Sequence, residues 1–136
     1  MIKPIMKSEF FLRLPSEDAG PDDAATGQDL LDTLHEHERE CVGLAANMIG
    51  VRKRIICVKD GNRTLLMYNP QILEQVNAYQ TSEGCLSLIG ERPCTRYRRI
   101  KVEYLDENFV HRIKNFSSYT AEIIQHEIDH CEGIII

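Results

Sequence analysis

The sequence lacks a C-x-x-C pair, lacks any apolar stretch approaching the length of a membrane span, and carries no excess of positive charge. The first absence argues against a four-cysteine structural zinc site. The five cysteines present, Cys41, Cys57, Cys85, Cys94 and Cys131, are odd in number and irregularly spaced, which is not the layout of a disulfide framework and fits a reducing compartment. The second absence leaves no candidate transmembrane helix. Met1 to Phe11 also lacks the charged start and long apolar core of a secretory signal, so the expectation is a cytoplasmic protein without membrane contact. The third absence bears on partners: a formal charge of -5, with arginines scattered rather than aligned, gives no general attraction to phosphates and no direct nucleic-acid binding is expected. Internal repeats, low-complexity tracts and linkers are missing too, and 136 residues suit one domain, 1–136, with a real core.

What is there divides into short elements. Pro15 to Thr26, rich in Asp, Pro, Ala and Gly, reads as an exposed loop. A helix is expected from Gln28 to Glu40, burying Leu30, Leu31 and Leu34. Its His35-Glu36-His37-Glu38 run places the histidines two apart, on different sides of a helix, which fits a solvated face better than a ligand pair. Strands are expected at Arg54–Val58, Thr64–Tyr68, Ile72–Val76, Arg99–Leu105 and Phe109–Ile113, with turns at Asp60-Gly61-Asn62 and Asp106-Glu107-Asn108. Ile100, Val102 and Tyr104 alternate with Lys101 and Glu103, the pattern of a half-buried strand. A last helix, capped by Ser117 or Ser118, runs to near Gly133, and Ile134 to Ile136 would be a short strand.

That last helix carries His126-Glu127-Ile128-Asp129-His130. Residues four apart share a helix face, so both imidazoles can reach one cation while Glu127 faces the remaining coordination position, where it can take a proton from water. Only six residues follow His130, and Cys131 points about 100° away from it on the helix, so a third ligand is sought upstream. Glu83-Gly84-Cys85-Leu86-Ser87 offers a cysteine there, although a lone cysteine is more often a small buried hydrophobe. Gly43-Leu44-Ala45-Ala46-Asn47-Met48-Ile49-Gly50 gathers small residues, as at a tight transition or where backbone meets a ligand.

In this order and spacing the three segments resemble the peptide deformylases, whose pattern is G-x-G-x-A-A-x-Q, then E-G-C-L-S, then Q-H-E-x-D-H. Here Cys41 to Met48 approximates the first, Glu83 to Ser87 matches the second and Gln125 to His130 the third. The resemblance spans roughly residues 28 to 136. It implies that Cys85, His126 and His130 bind one divalent metal, iron(II) first and zinc, nickel or cobalt as substitutes, with water in the fourth position. It implies that Glu127 acts as general base and then general acid in removing formate from N-terminal formyl-methionine. The Leu86 backbone N–H would stand beside the developing oxyanion. The second donor in the family is a glutamine, and its place is taken by Met48, whose thioether cannot donate. Either water or Asn47 replaces that donor, or the reaction is slow, or the chain is a relative that binds a formylated peptide end without cleaving it or acts on other N-acyl groups. Cys41 stands where the family usually has glycine and is expected at ordinary φ, in a packing role.

The resemblance further places the peptide as an added strand between the backbone of Val42 and Gly43 and the strand after Cys85, with methionine in an apolar pocket near Val42, Tyr119 and Ile123. Glu122, where the family usually has an apolar residue, is expected to turn to solvent or else to narrow the choice of substrate, and Asp129 to pair with Arg96. Formyl-methionyl peptides are the implied partners. Ribosome contact is left open, because family members often continue past the last strand and this sequence stops at Ile136. The expected fold is α+β, with a central metal-binding helix surrounded by short, mainly antiparallel sheets and an N-terminal helix packed outside.

Overall fold

Ile100, Val102 and Tyr104 are buried and Lys101 and Glu103 between them are half-buried, so the alternation of that stretch is the pleat of a strand with one face on the core. The strand is β4, Leu88–Leu105, in a computed structural model that describes residues 1–136. Before it come helices α1 (Glu9–Leu12) and α2 (Ala24–Glu36) and strands β1 (Gly43–Ala45), β2 (Ile55–Asp60) and β3 (Arg63–Cys85). After it come β5 (His111–Ser117) and helix α3 (Ser118–Cys131). The five strands form one antiparallel sheet in sequence order, β1 at one edge and β5 at the other. The architecture is the expected α+β arrangement around a central helix.

Several boundaries move. The stretches Thr64–Tyr68 and Ile72–Val76 are one strand, and the pairing of β3 with β4 continues from Tyr68↔Leu105 out to Cys85↔Leu88. Alternation fades along this arm because both faces are largely solvated, so backbone pairing rather than core burial sets its length. Pro70, which has no N–H to give to a ladder, falls in the register shift between Tyr68 and Gln71. Beside it Asn69 adopts φ 53° and clasps the Ala19 backbone from both sides, accepting from its N–H at 2.7 Å and donating to its carbonyl at 2.9 Å. β2 starts and ends later than expected, and β5 lies two residues later at its start, because Phe109 turns at φ 59° and stacks on Tyr68 at 4.2 Å.

α2 begins four residues earlier than Gln28 and stops before Glu40, so part of the expected Pro15–Thr26 loop is helical. Pro21 opens a short 3-10 turn, and the Asp23 carboxylate accepts from the Gly20 N–H at 2.9 Å. The helix ends before Glu38 and Glu40, whose negative charges would oppose the negative end of its dipole. His35 and His37 instead face Glu38 and Glu40, at 3.3 and 2.7 Å.

α3 runs through the centre. Nine of its fourteen residues are buried, from Ala121 to Cys131, as befits a helix enclosed on most sides. Ser117 is its N-cap residue, yet neither Ser117 nor Ser118 supplies a side-chain cap bond. At the other end Gly133 (φ 77°) donates to His130 and Ile134 to Asp129, closing the helix in a left-handed cap. A Cβ at Gly133 would lie 2.4 Å from the Arg13 carbonyl oxygen, so glycine is needed both for φ and for space. With its N–H used in that cap, Ile134 begins no strand, and 134–136 is irregular. Leu30 and Leu34 of α2 join the same 24-residue core as Ile124 and Ile128 of α3 and the inner faces of β1, β2 and β4, whereas Leu31 is only partly buried.

Candidate active site

The β3–β4 hairpin and α3 meet at the point where the chain turns through Leu86 and Ser87. Cys85 is the last residue of β3 and faces His126 and His130 across this junction, and their ligand atoms all lie within 4.8 Å of one another. The two imidazoles present Nε2 to each other at 3.2 Å, as the four-residue spacing on α3 requires. His126 turns its Nδ1 to Glu83 at 2.8 Å. A carboxylate behind a histidine fixes the ring and raises its basicity, which suits a metal ligand. His130 is fully buried with no partner on Nδ1. Burial works against ionisation of Cys85, but hydrogen bonding with His126 and with the Leu88 and Ser87 amides holds its thiol below the usual range. A thiolate and two imidazoles, one backed by a carboxylate, form a donor set that fits a divalent cation.

The Glu83–Ser87 pentapeptide by itself assigns Glu83 no individual role, and the structure gives it a central place. Arg96 donates to it through Nη2 at 2.7 Å and through Nε at 3.1 Å, and the same guanidinium reaches Asp129 through Nη1 at 2.7 Å. Burial would raise the Glu83 carboxyl, yet hydrogen bonds from His126 and Arg96 hold it well below the ordinary carboxylate range. The expected Arg96–Asp129 pair is therefore half of a larger network joining β3, β4 and α3. Its only sequence signal was a glutamate opening an intact pentapeptide. Gln125 was equally unassigned. It accepts from the Tyr97 N–H at 2.9 Å and donates to the Tyr97 carbonyl at 2.8 Å, pinning α3 to β4.

Asp129→Asn weakens one arm of this network. We expect a Tm loss of several degrees and a lower metal content after dialysis, because a positioned partner behind a ligand typically matters by about 10- to 100-fold in metal affinity. Unchanged Tm and metal content together would reduce the pair to a surface contact.

Glu127 is 3 % exposed, its Oε1 has no hydrogen-bond partner, and burial pushes its carboxyl up to about 7. It lines a cavity of about 520 Å³ together with Cys85 and His126. Gly43 crosses directly over it: a Cβ there would lie 2.7 Å from Ile123 Cγ2 and 2.9 Å from Glu127 Oε2. Met48 and Leu86 line the same cavity, and so do Val42, Tyr119 and Ile123. Met48 is only 1 % exposed, and its side chain stands where the family pattern has an amide.

Two expectations are corrected. Asn47 is not available as the missing donor, because it is fully buried outside the cavity wall, with Nδ2 donating to the His130 carbonyl at 2.8 Å. Glu122 does not turn to solvent: it is half-buried, lines the cavity and accepts from the Tyr79 hydroxyl at 3.2 Å. Cys41 has no positive φ, and its thiol, pushed by burial up to about 12, donates to the Gly43 carbonyl at 2.9 Å.

A half-buried cysteine at the end of β3, facing two buried imidazoles and a buried glutamate on a helix packed against an antiparallel sheet, is the donor arrangement of the metal-dependent hydrolases. The polypeptide deformylase family matches residues 6–136. A peptide deformylase of Clostridium beijerinckii is 53% identical over 136 residues, covering 100% of both chains. The class I type b peptide deformylase of Acinetobacter baumannii, in a structure with Met-Ala-Ser bound, superposes with a TM-score of 0.87 at 30% identity over 99% of this chain and 97% of that one. A peptide deformylase from Legionella pneumophila superposes with a TM-score of 0.88 at 28% identity, covering 99% of this chain and 83% of its own. The chain belongs to the polypeptide deformylase family, and it is an enzyme that removes the formyl group from the N terminus of nascent peptides.

Proposed function

We propose that Cys85, His126 and His130 hold one divalent cation, iron(II) in the native enzyme and zinc, nickel or cobalt as substitutes, and that Glu127 carries the proton through formyl-methionine deformylation. The observation behind this reading is the orphaned Oε1 of a buried glutamate in the cavity wall beside the three ligand side chains. A divalent cation held by these three side chains would supply Lewis-acid chemistry toward the formyl carbonyl and the attacking water. One thiolate and two imidazoles suit several first-row metals, so the preference for iron follows the family resemblance.

Glu127 accepts the proton of the attacking water and returns it to the departing amine, the two duties of one general acid–base group. The Leu86 N–H receives the developing oxyanion, without help from a side-chain amide at Met48. β1 is an edge strand, paired with β2 on one side only, so its other edge can take the peptide as an added strand through Val42 and Gly43. Val42, Tyr119 and Ile123 receive the methionine side chain. The Met-Ala-Ser bound to the Acinetobacter baumannii relative supports a peptide in this cavity. Residues 1–136 act as one domain on one core, in the cytoplasm, on chains leaving the ribosome; no helix is long and apolar enough to cross a membrane.

Formate release from formyl-Met-Ala-Ser, by protein loaded anaerobically with iron(II), tests the reading. Wild type will release formate, and Met48→Gln will raise kcat by up to about 100-fold by restoring an oxyanion donor. An equal or lower kcat in Met48→Gln would place Met48 away from the oxyanion, and absence of release by metal-loaded wild type would overturn the reading.

A further inference from the structure

Glu122 forms part of the wall of this cavity. It lies one helical turn before His126 on α3 and is held in place rather than free to swing outward. The Tyr79 hydroxyl donates to its Oε1 at 3.2 Å, and the Tyr79 ring is backed by the Arg98 guanidinium, 4.6 Å from the ring centroid. Glu83, whose oxygens already serve Arg96 and His126, interacts with the Glu122 carboxyl, and burial together with that neighbour holds Glu122 above the usual carboxylate range. The same cavity contains Val42, Tyr119 and Ile123, the apolar surfaces assigned to the N-terminal side chain, and none of its 18 lining residues is a lysine or arginine.

A carboxyl oxygen has more than one lone pair, so Glu122 keeps acceptor capacity after binding Tyr79. Opposite a thioether, that capacity is desolvated and unmatched; opposite an N–H donor it is satisfied. A site with a built-in acceptor discriminates in favour of the ligand that fills it.

We propose that Glu122, braced by Tyr79, is a specificity-determining residue that opens the side-chain pocket to N-formylated residues bearing an amide or ammonium donor, in addition to methionine. This rests on the assignment of the cavity to the formylated N terminus. The glutamine and lysine side chains are long enough and linear enough to replace methionine, and Glu122 offers either one an acceptor in a wall without lysine or arginine.

The test compares kcat/KM for formyl-Met-Ala-Ser, formyl-Gln-Ala-Ser and formyl-Lys-Ala-Ser in iron(II)-loaded wild type, Glu122→Ile, Glu122→Gln and Tyr79→Phe. Calorimetric binding of the products Met-Ala-Ser and Gln-Ala-Ser accompanies it. Ratios within one preparation cancel any loss of folded or metal-loaded protein. Glu122→Ile should lower the Gln-to-Met ratio by about 10-fold or more, in turnover and in product binding, the scale of discrimination by a matched polar contact. Tyr79→Phe should move it the same way by less. Glu122→Gln, which keeps the shape and removes the charge, should lower the Lys-to-Met ratio. Ratios within about twofold of wild type in Glu122→Ile, or an unmoved Lys-to-Met ratio in Glu122→Gln, would overturn the proposal. If wild type cleaves formyl-Met-Ala-Ser while those ratios stay fixed, only the role of Glu122 falls; if it cleaves none of the three peptides, the deformylase reading falls with it.

Discussion

Glu127→Ala will lower kcat/KM for formyl-Met-Ala-Ser by about 10²- to 10⁴-fold, the usual contribution of a positioned general acid–base group. Metal content and Tm will not fall with it. Glu127 is not among the three clustered ligand side chains, and its Oε1 meets no donor in a nearly dry position, so the folded state loses no hydrogen bond at that atom when the carboxyl is removed. Deleting a buried polar group that lacks a partner is neutral or stabilising. The combination of lost turnover with equal or higher Tm is what separates a catalytic carboxylate from a structural one. Assay of formate release, metal analysis and a thermal scan on the same preparation decide the matter. Activity and metal content falling together would make Glu127 part of the metal cage instead.

Arg96→Met should produce the largest loss of stability of any single change in the site. Arg96 is 4 % exposed and its guanidinium bonds Glu83 and Asp129 at 2.7 Å each, so its removal strands two carboxylates, one of them buried. Breaking a buried ion pair from one side costs about 3–5 kcal/mol. For a domain of this size that corresponds to a Tm drop of roughly 10 °C or more. Metal retention should fall as well, because Glu83 orients His126 and would lose its principal counter-charge. Arg96→Lys should lie between, since a single ammonium cannot fork to both acids. Thermal denaturation with and without added metal checks this, and a Tm within about 2 °C of wild type for Arg96→Met would mean that the network is not what holds α3 against the sheet.

Legibility differed by element for reasons that can be traced to particular residues. The Ile100-Val102-Tyr104 alternation identified part of β4 because one face packs on the core. The arm beyond it, out to Cys85↔Leu88, left no such trace, since its cross-strand hydrogen bonds do not depend on side-chain type. Helix α3 announced itself through its motif, but its serine cap did not materialise, because Ser118 takes φ 55° on the way out of β5. The shift of α2 traces to the Gly20–Asp23 bond and to the acidic residues past Glu36. Both are local features that a search for a leucine stripe passes over.

By itself the sequence determined the chemistry on offer. A His-x-x-x-His spacing on a helix places two imidazoles on one face whatever surrounds them, and the Glu-Gly-Cys-Leu-Ser and Gln-His-Glu-x-Asp-His segments carried the family and hence the α+β fold and the reaction. What tertiary structure decided is everything that depends on residues far apart in the chain meeting in a dry place. Glu83 reaches His126 across 43 residues, Arg96 joins Glu83 to Asp129, and Asn47 is spent on the His130 carbonyl. Glu122 faces inward because Tyr79, on another element, holds it there. Local spacing sets which atoms a helix presents; only long-range packing, by excluding water, sets which of them are paired, which are left free to react, and which wall of the pocket is polar.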